Sequence, residues 1–295
     1  MTASLKLVKM SLLKTIRPLN FLVQHRIRNN GFRQMSSGSE KLTSLQVNES
    51  TGIAILSMNR LPVNGLNLEL LAEIRDALEQ LESNKSRGLI LTSGSKTVFS
   101  AGLDILEMYK PKKERVTEYW KTLQDVWLKL YGSNFPTAAA INGHSPAGGC
   151  LLALCCEYRV MCPNFTIGLN ETKLGIVAPK WFQASMRNVI PTRIAESALT
   201  LGKMFTTDEA LKIGLIDEVA KDKAEAIDKC NKFLMEFQKI SPTARAMTKQ
   251  VFRSKDILDL EDNRDQDLQQ FLFIVNQPQV QKGLELYLES LKKKQ

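Results

Sequence analysis

Two short stretches hold the residues best placed for chemistry in this chain. "INGHSPAGGCLLALCCEYRV" (141–160) sets a proline and a glycine pair in front of an apolar run. Pro146 cannot sit inside a helix but is tolerated just ahead of one. Gly148 and Gly149 allow a sharp turn and let a ligand come close to the backbone. The pattern predicts a strand, a tight turn and a buried helix whose first N–H groups lack intrahelical acceptors. Such an end attracts negative charge. A phosphate is one candidate, but the lysine and Ser/Thr of a P-loop are missing. An oxyanion that forms during a reaction is the other. Upstream, "FSAGLDILEM" (99–108) has the same shape: Ala101–Gly102 closes a strand-like stretch, and Asp104 stands near the start of a helical pattern. Two such turns, about 45 residues apart, point to two backbone amides converging on one atom.

Other reactive side chains have plain readings. Glu171, beside Thr172 and Lys173, reads by itself as a solvated loop residue. His144, next to the turn, reads as a structural hydrogen-bonder. Cys150, Cys155, Cys156 and Cys162 crowd one apolar segment and read as small buried hydrophobes of a reducing compartment. Two histidines and five cysteines are too few and too scattered for a zinc framework.

The elements that must position these residues follow from periodicity. "LTSLQVNESTGIAILSMNR" gives two strands joined by a turn at Glu49–Gly52. Leu70, Leu71, Ile74, Leu78 and Leu81 recur at three and four, which makes 67–83 an amphipathic helix. "GLILTS" (88–93) has the continuous apolar character of a buried parallel strand. Residues 114–131 are helical, and "TAAAI" (137–141) is the next strand. Alternating strand and helix argues for an α/β fold with crossover connections. From about 222 to 292 the patterns are helical, with breaks at Ser241–Pro242 and around Gln277–Pro278. The chain therefore divides into a leader (1–40), an α/β core (41–221) and a helical C-terminal region (222–295).

The formal net charge of +9 belongs to the leader. Residues 1–39 carry seven Lys and Arg and no acid, the first acid being Glu40; without them the net charge is +2. A basic, acid-free, Ser-containing leader with interspersed Leu, Ile and Phe has the composition of a mitochondrial transit peptide. The near-neutral remainder speaks against nucleic-acid binding. No apolar stretch reaches the roughly 18 to 20 residues that span a bilayer.

Together, "FSAGLDILEM" and "INGHSPAGGCLLALCCEYRV" resemble the crotonase (enoyl-CoA hydratase/isomerase) superfamily, over a span from about residue 42 to the C-terminal helices. The resemblance implies a spiral of ββα units, a helical C-terminal region that builds a homotrimer, and an acyl-CoA thioester as ligand. It implies an oxyanion hole made by the amides of Leu103 and Gly148. Ala101, Gly102, Leu103, Asp104, Ile105, Gly148 and Asn170 are the implied substrate contacts. One departure is Glu157, where the family usually has Asp.

Hydratases of the superfamily carry two glutamates. The position matching the first is Leu151 here, and the second is met by Glu171 in "IGLNETKLGIVAPK" (167–180). Hydration benefits from two such groups, whereas moving a double bond needs one base that takes a proton from C2 and returns it at C4. The lone Glu171 thus resembles the mitochondrial Δ3,Δ2-enoyl-CoA isomerase branch, acting in the mitochondrial matrix on unsaturated fatty acyl groups in β-oxidation. A hydratase or a non-catalytic acyl-CoA binder is the alternative. A carboxylate near its reference pKa of about 4.3 is a weak base. Glu171 is therefore expected in an apolar pocket that raises its pKa, with Leu151 and Trp181 among the groups that keep it dry. No metal or redox cofactor is needed for this chemistry.

Overall fold

The structure is a computed structural model and describes residues 41–292. The leader reading falls on residues outside that range. The described chain builds a six-stranded sheet of order β1-β2-β3-β4-β6-β9. Its strands are β1 (Thr43–Val47), β2 (Ile53–Met58), β3 (Gly88–Ser93), β4 (Thr137–Ile141), β6 (Tyr158–Met161) and β9 (Glu218–Val219). β1 runs antiparallel to β2, and every other neighbouring pair is parallel. A second sheet sets β7 (Thr166–Gly168) between β5 (Ser145–Pro146) and β8 (Phe205–Thr206).

Successive side chains of a strand face opposite sides, and both sides of this sheet are covered. Leu89, Leu91, Ala139 and Ile141 enter the larger core. Ile90, Ala138 and Ala140 face the other way, into a smaller cluster completed by Ala226, Cys230 and Leu234. The larger core is roofed by helices α1 (Leu68–Ser83) and α3 (Lys113–Tyr131), which pack on each other. Asn67 caps α1 by accepting from the Leu70 amide at 3.1 Å. The smaller cluster is closed by α8 (Lys223–Met235), which lies on β3, β4 and β6. All five cysteines are buried and free, packed as hydrophobes.

Beyond α8 the described chain is helical. α9 (Pro242–Val275) begins at a Ser241 cap and kinks at Asn263; α10 (Pro278–Lys292) follows. α9 lies against α3 and is locked to the core by a buried ion cluster. Glu157 takes Arg245 on one oxygen and Lys249 on the other, the latter at 3.0 Å. Burial pushes the Lys249 ammonium down to about 8, although Glu157 beside it pulls the other way. The flanking charges hold the Glu157 carboxyl below its ordinary value, against the effect of its burial.

Candidate active site

The PAGG turn folds differently in detail from its sequence expectation. The sharp bend falls at Ala147 (φ 49°, ψ −123°), a backbone conformation that costs a non-glycine residue of order 1–3 kcal/mol. Gly148 and Gly149 lie inside helix α4 (Gly148–Cys155). What they provide is room. A Cβ on Gly149 would stand 2.5 Å from the Ser100 carbonyl oxygen, and one on Gly148 would stand 3.0 Å from Leu66 and 3.3 Å from the Leu103 nitrogen. Gly102 (φ 86°) answers from the other side, where a Cβ would meet Ala147 at 2.9 Å and the Gly148 nitrogen at 3.1 Å. The two glycine turns therefore meet backbone to backbone. Among the described residues no acceptor is bonded to the amide of Leu103 or of Gly148.

The segment carrying Leu103 is not a regular strand. It is held by single bridges, Val98 to His144 and Leu66 to Leu103. The carboxylate of Asp104 is committed to structure: one oxygen caps helix α2 (Ile105–Met108) through the Leu106 amide at 3.0 Å, and the other meets Arg60 at 2.8 Å. Ala101 is exposed, Gly102 is buried, and Ile105 packs half-buried against the larger core.

Glu171 opens a 3-10 turn (Glu171–Leu174) just after β7. Asn170 precedes it, half-buried, and its carbonyl accepts from the Lys173 amide at 3.1 Å. The Glu171 side chain is 6% exposed, and neither carboxylate oxygen has a hydrogen-bond partner among the described residues. Desolvation pushes its pKa up to about 7; its own amide pulls the other way without reaching hydrogen-bond geometry. Glu171 and Leu103 border one narrow pocket of about 90 Å³. Met108, Trp120, Phe182, Phe271 and Ile274 are part of its apolar wall. Leu151 is fully buried in the core and does not line it. Trp181 stands one layer back, edge-on to Trp120 at 5.8 Å.

A second carboxylate borders the same pocket. Asp267 comes from α9, which the sequence did not connect to the site. It accepts from the Trp120 and Trp181 indoles at 2.7 and 3.1 Å and from Gln124 at 2.8 Å. Its pattern in "LEDNRDQDLQQ" is that of an exposed acidic helix face, so no sequence signal marks it. His144 receives the Thr166 amide on Nδ1 at 3.1 Å and packs edge-on to Phe165. That matches a structural role. The C-terminal helix α10 reaches both halves of the site. Gln281 donates to the Met108 carbonyl at 2.8 Å and accepts from the Lys110 amide at 2.8 Å. Gly283 lies against the Leu174 carbonyl, where a Cβ would stand at 3.4 Å.

A larger cavity of about 590 Å³ lies between the end of α1 with the loop that follows it (81–87), Asn134–Pro136 and residues 237–250. It contains none of these groups. Arg87, Arg245 and Gln250 on its wall are bonded to Gln238, Asn134 and Glu157. Among the described residues no cluster of His, Cys, Asp and Glu could hold a metal ion.

Residues 48–295 match the enoyl-CoA hydratase/isomerase family. The chain belongs to that family. It is 44% identical over 280 residues to the mouse (Mus musculus) enoyl-CoA delta isomerase 1, mitochondrial, a match covering 92% of this chain and 96% of the relative. The crystal structure of human mitochondrial delta3-delta2-enoyl-CoA isomerase superposes with a TM-score of 0.83 at 41% identity, covering 86% of this chain and all of that one. An enoyl-CoA hydratase from Bacillus halodurans superposes at 0.74 with 24% identity, over 83% of this chain and all of that one, a likeness of fold. The α/β core with its C-terminal helices is thus the fold of the enoyl-CoA hydratase/isomerase family, as the paired glycine motifs implied.

Proposed function

We propose that the chain is a Δ3,Δ2-enoyl-CoA isomerase that converts 3-cis- and 3-trans-enoyl-CoA to 2-trans-enoyl-CoA. The observation that carries this reading is Glu171. It is a buried carboxylate with no partner among the described residues, and its pKa is lifted to about 7. A general base works best when its pKa lies near the operating pH.

Glu171 takes a proton from C2 of the substrate. The C2–H electron pair moves into the conjugated system, and negative charge gathers on the thioester oxygen. The amides of Leu103 and Gly148 face that oxygen and stabilise the dienolate, each such donor being worth roughly 100- to 1000-fold in rate. The same carboxyl returns the proton at C4, the double bond ends between C2 and C3, and Glu171 is again a carboxylate. No second acid is required. The apolar wall keeps water from the intermediate, which also disfavours hydration. The reaction uses neither metal nor redox cofactor, coenzyme A entering as part of the substrate.

The deciding experiment is Glu171→Gln, which preserves shape and removes the base. Loss of isomerase turnover with retained acyl-CoA binding supports the reading, and near-normal turnover ends it. Assaying 2-enoyl-CoA hydration alongside separates the hydratase alternative, and turnover of either substrate excludes a pure acyl-CoA binder. Names of the mouse and human relatives support a mitochondrial location; together with the basic leader they favour import through residues 1–40 and a matrix enzyme. We further propose a homotrimer built through the C-terminal helices 222–295.

A further inference from the structure

Loop 59–67 precedes α1 and contains none of the residues singled out above as reacting groups. It nevertheless fastens the Leu103 segment along its length. The Ala101 amide donates to the Val63 carbonyl at 2.9 Å, and Ser100 Oγ donates to the Asn64 carbonyl at 2.7 Å. Leu66 then straddles Leu103: its amide donates to the Gly102 carbonyl at 2.8 Å, and its carbonyl accepts from the Asp104 amide at 3.1 Å. Both peptide neighbours of Leu103 are thereby pinned, and its own N–H is left to point elsewhere.

One side chain locks this loop to that segment. Arg60 Nη2 meets the Asp104 carboxylate at 2.8 Å, while Nη1 donates to the Gly65 carbonyl at 2.8 Å. The planar fork of a guanidinium suits such a two-sided contact, which a lysine cannot reproduce. Gly65 leaves room for it, since a Cβ there would stand 3.0 Å from Arg60 Nη1. Asp104 in turn holds the first turn of α2 through its other oxygen. The pair is only partly exposed, 30% at Arg60 and 14% at Asp104.

We propose that Arg60 is a positioning residue for the Leu103 amide and acts through Asp104. The inference rests on the reading of that amide as an oxyanion donor. Misplacing a catalytic group by about 1 Å costs on the order of 100-fold in rate. Arg60→Met should therefore lower kcat on 3-enoyl-CoA by about 10- to 100-fold while KM changes by less than about twofold. Arg60→Lys should restore part of the loss. The double variant Arg60→Met/Asp104→Asn should be no slower than the slower single variant, because both changes cut one connection. Gly65→Ala, which crowds Nη1 without touching a charge, is the second route should Arg60→Met fold poorly, and it should show the same split between kcat and KM.

A spectroscopic readout separates the inference from the reading beneath it. Hydrogen bonds from two amides lower the stretching frequency of a thioester carbonyl. Bound to the natural protein, a saturated acyl-CoA should show that lowering, and in Arg60→Met the lowering should shrink. Without any lowering in the natural protein, the oxyanion reading itself falls. Full lowering retained in Arg60→Met, or an unchanged kcat in the folded variant, overturns the role of Arg60 alone. A raised KM with intact kcat and weakened binding of free coenzyme A would also overturn it, making Arg60 a ligand contact.

Discussion

Asp267 and Trp120 meet at 2.7 Å on the wall of the pocket that Glu171 also borders. The two carboxylates of this pocket are thus in opposite situations. Asp267 is surrounded by donors, two indoles and an amide, and is fixed in place. Glu171 has no hydrogen-bond partner among the described residues and is desolvated by burial. Position in the pocket alone does not separate the two; the hydrogen-bond inventory favours Glu171 as the proposed base.

Glu171→Gln should lower isomerase turnover by at least about 100- to 10,000-fold, the range of a general base. Acyl-CoA affinity, measured by calorimetry, should stay nearly constant, because the groups that hold the ligand are untouched.

The pH dependence of kcat/KM reports the free enzyme. Activity should rise with pH through an acid limb near 7, where Glu171 loses its proton. A limb near the ordinary carboxyl value of 4.5 would show that Glu171 is not desolvated in solution.

The same lift has a stability consequence of known sign. The folded pKa lies above the unfolded one, so folding costs nothing extra below pH 4.5, and the cost is complete above about 7. It reaches about 3 kcal/mol. Glu171→Gln does not titrate there. In urea unfolding, the stability of the variant relative to the natural protein should improve by about 2 kcal/mol between pH 5.5 and pH 8. An unchanged difference would count against the buried carboxylate.

Gly149→Ala should disturb the site from behind the turn. Its methyl would stand 2.5 Å from the Ser100 carbonyl oxygen, which is backbone and cannot swing aside. The segment leading to Leu103 must shift, so kcat should fall by about 10- to 100-fold, and more steeply than KM rises. Circular dichroism of the variant should remain that of a folded α/β protein.

Glu157→Ala should loosen α9. Arg245 and Lys249, only 7% and 5% exposed, would lose their shared carboxylate. Removing one partner of a buried cluster costs about 3 kcal/mol, to be read from the urea midpoint at constant slope. Glu157→Asp, the residue usual in the family, should cost less.

Strands β3 and β4 were legible to the residue, because parallel strands buried on both faces are continuous apolar runs. The helix at 67–83 was legible from its three-and-four spacing; Asn67, the first residue of that span, is its N-cap. The breaks at Ser241–Pro242 and Gln277–Pro278 carry proline, which announces itself. Legibility ended where a residue's role depends on what lies across from it. The glycine motif pointed to a bend at glycine; the bend is at Ala147, and the glycines serve the close approach of a segment about 45 residues away. Trp120, not Trp181, faces the pocket, although both sit on apolar helix faces of similar pattern. Arg60 stands in the mixed run "MNRLPVNGL" after a strand, and Asp267 in a polar helix stretch; neither context marks its residue for a role.

Gln281 and Gly283 touch the segments of Leu103 and of Glu171 from the last helix of the chain. During synthesis, the sheet and its covering helices are complete more than forty residues before α10 leaves the ribosome. Leu260, Leu268, Phe271 and Val275 of α9 and Val280 and Leu284 of α10 are buried in the same larger core, so core and site are completed together, by the helices made after the sheet. A chain that stopped short of α10 would lack part of its core together with the contacts at Met108, Lys110 and Leu174.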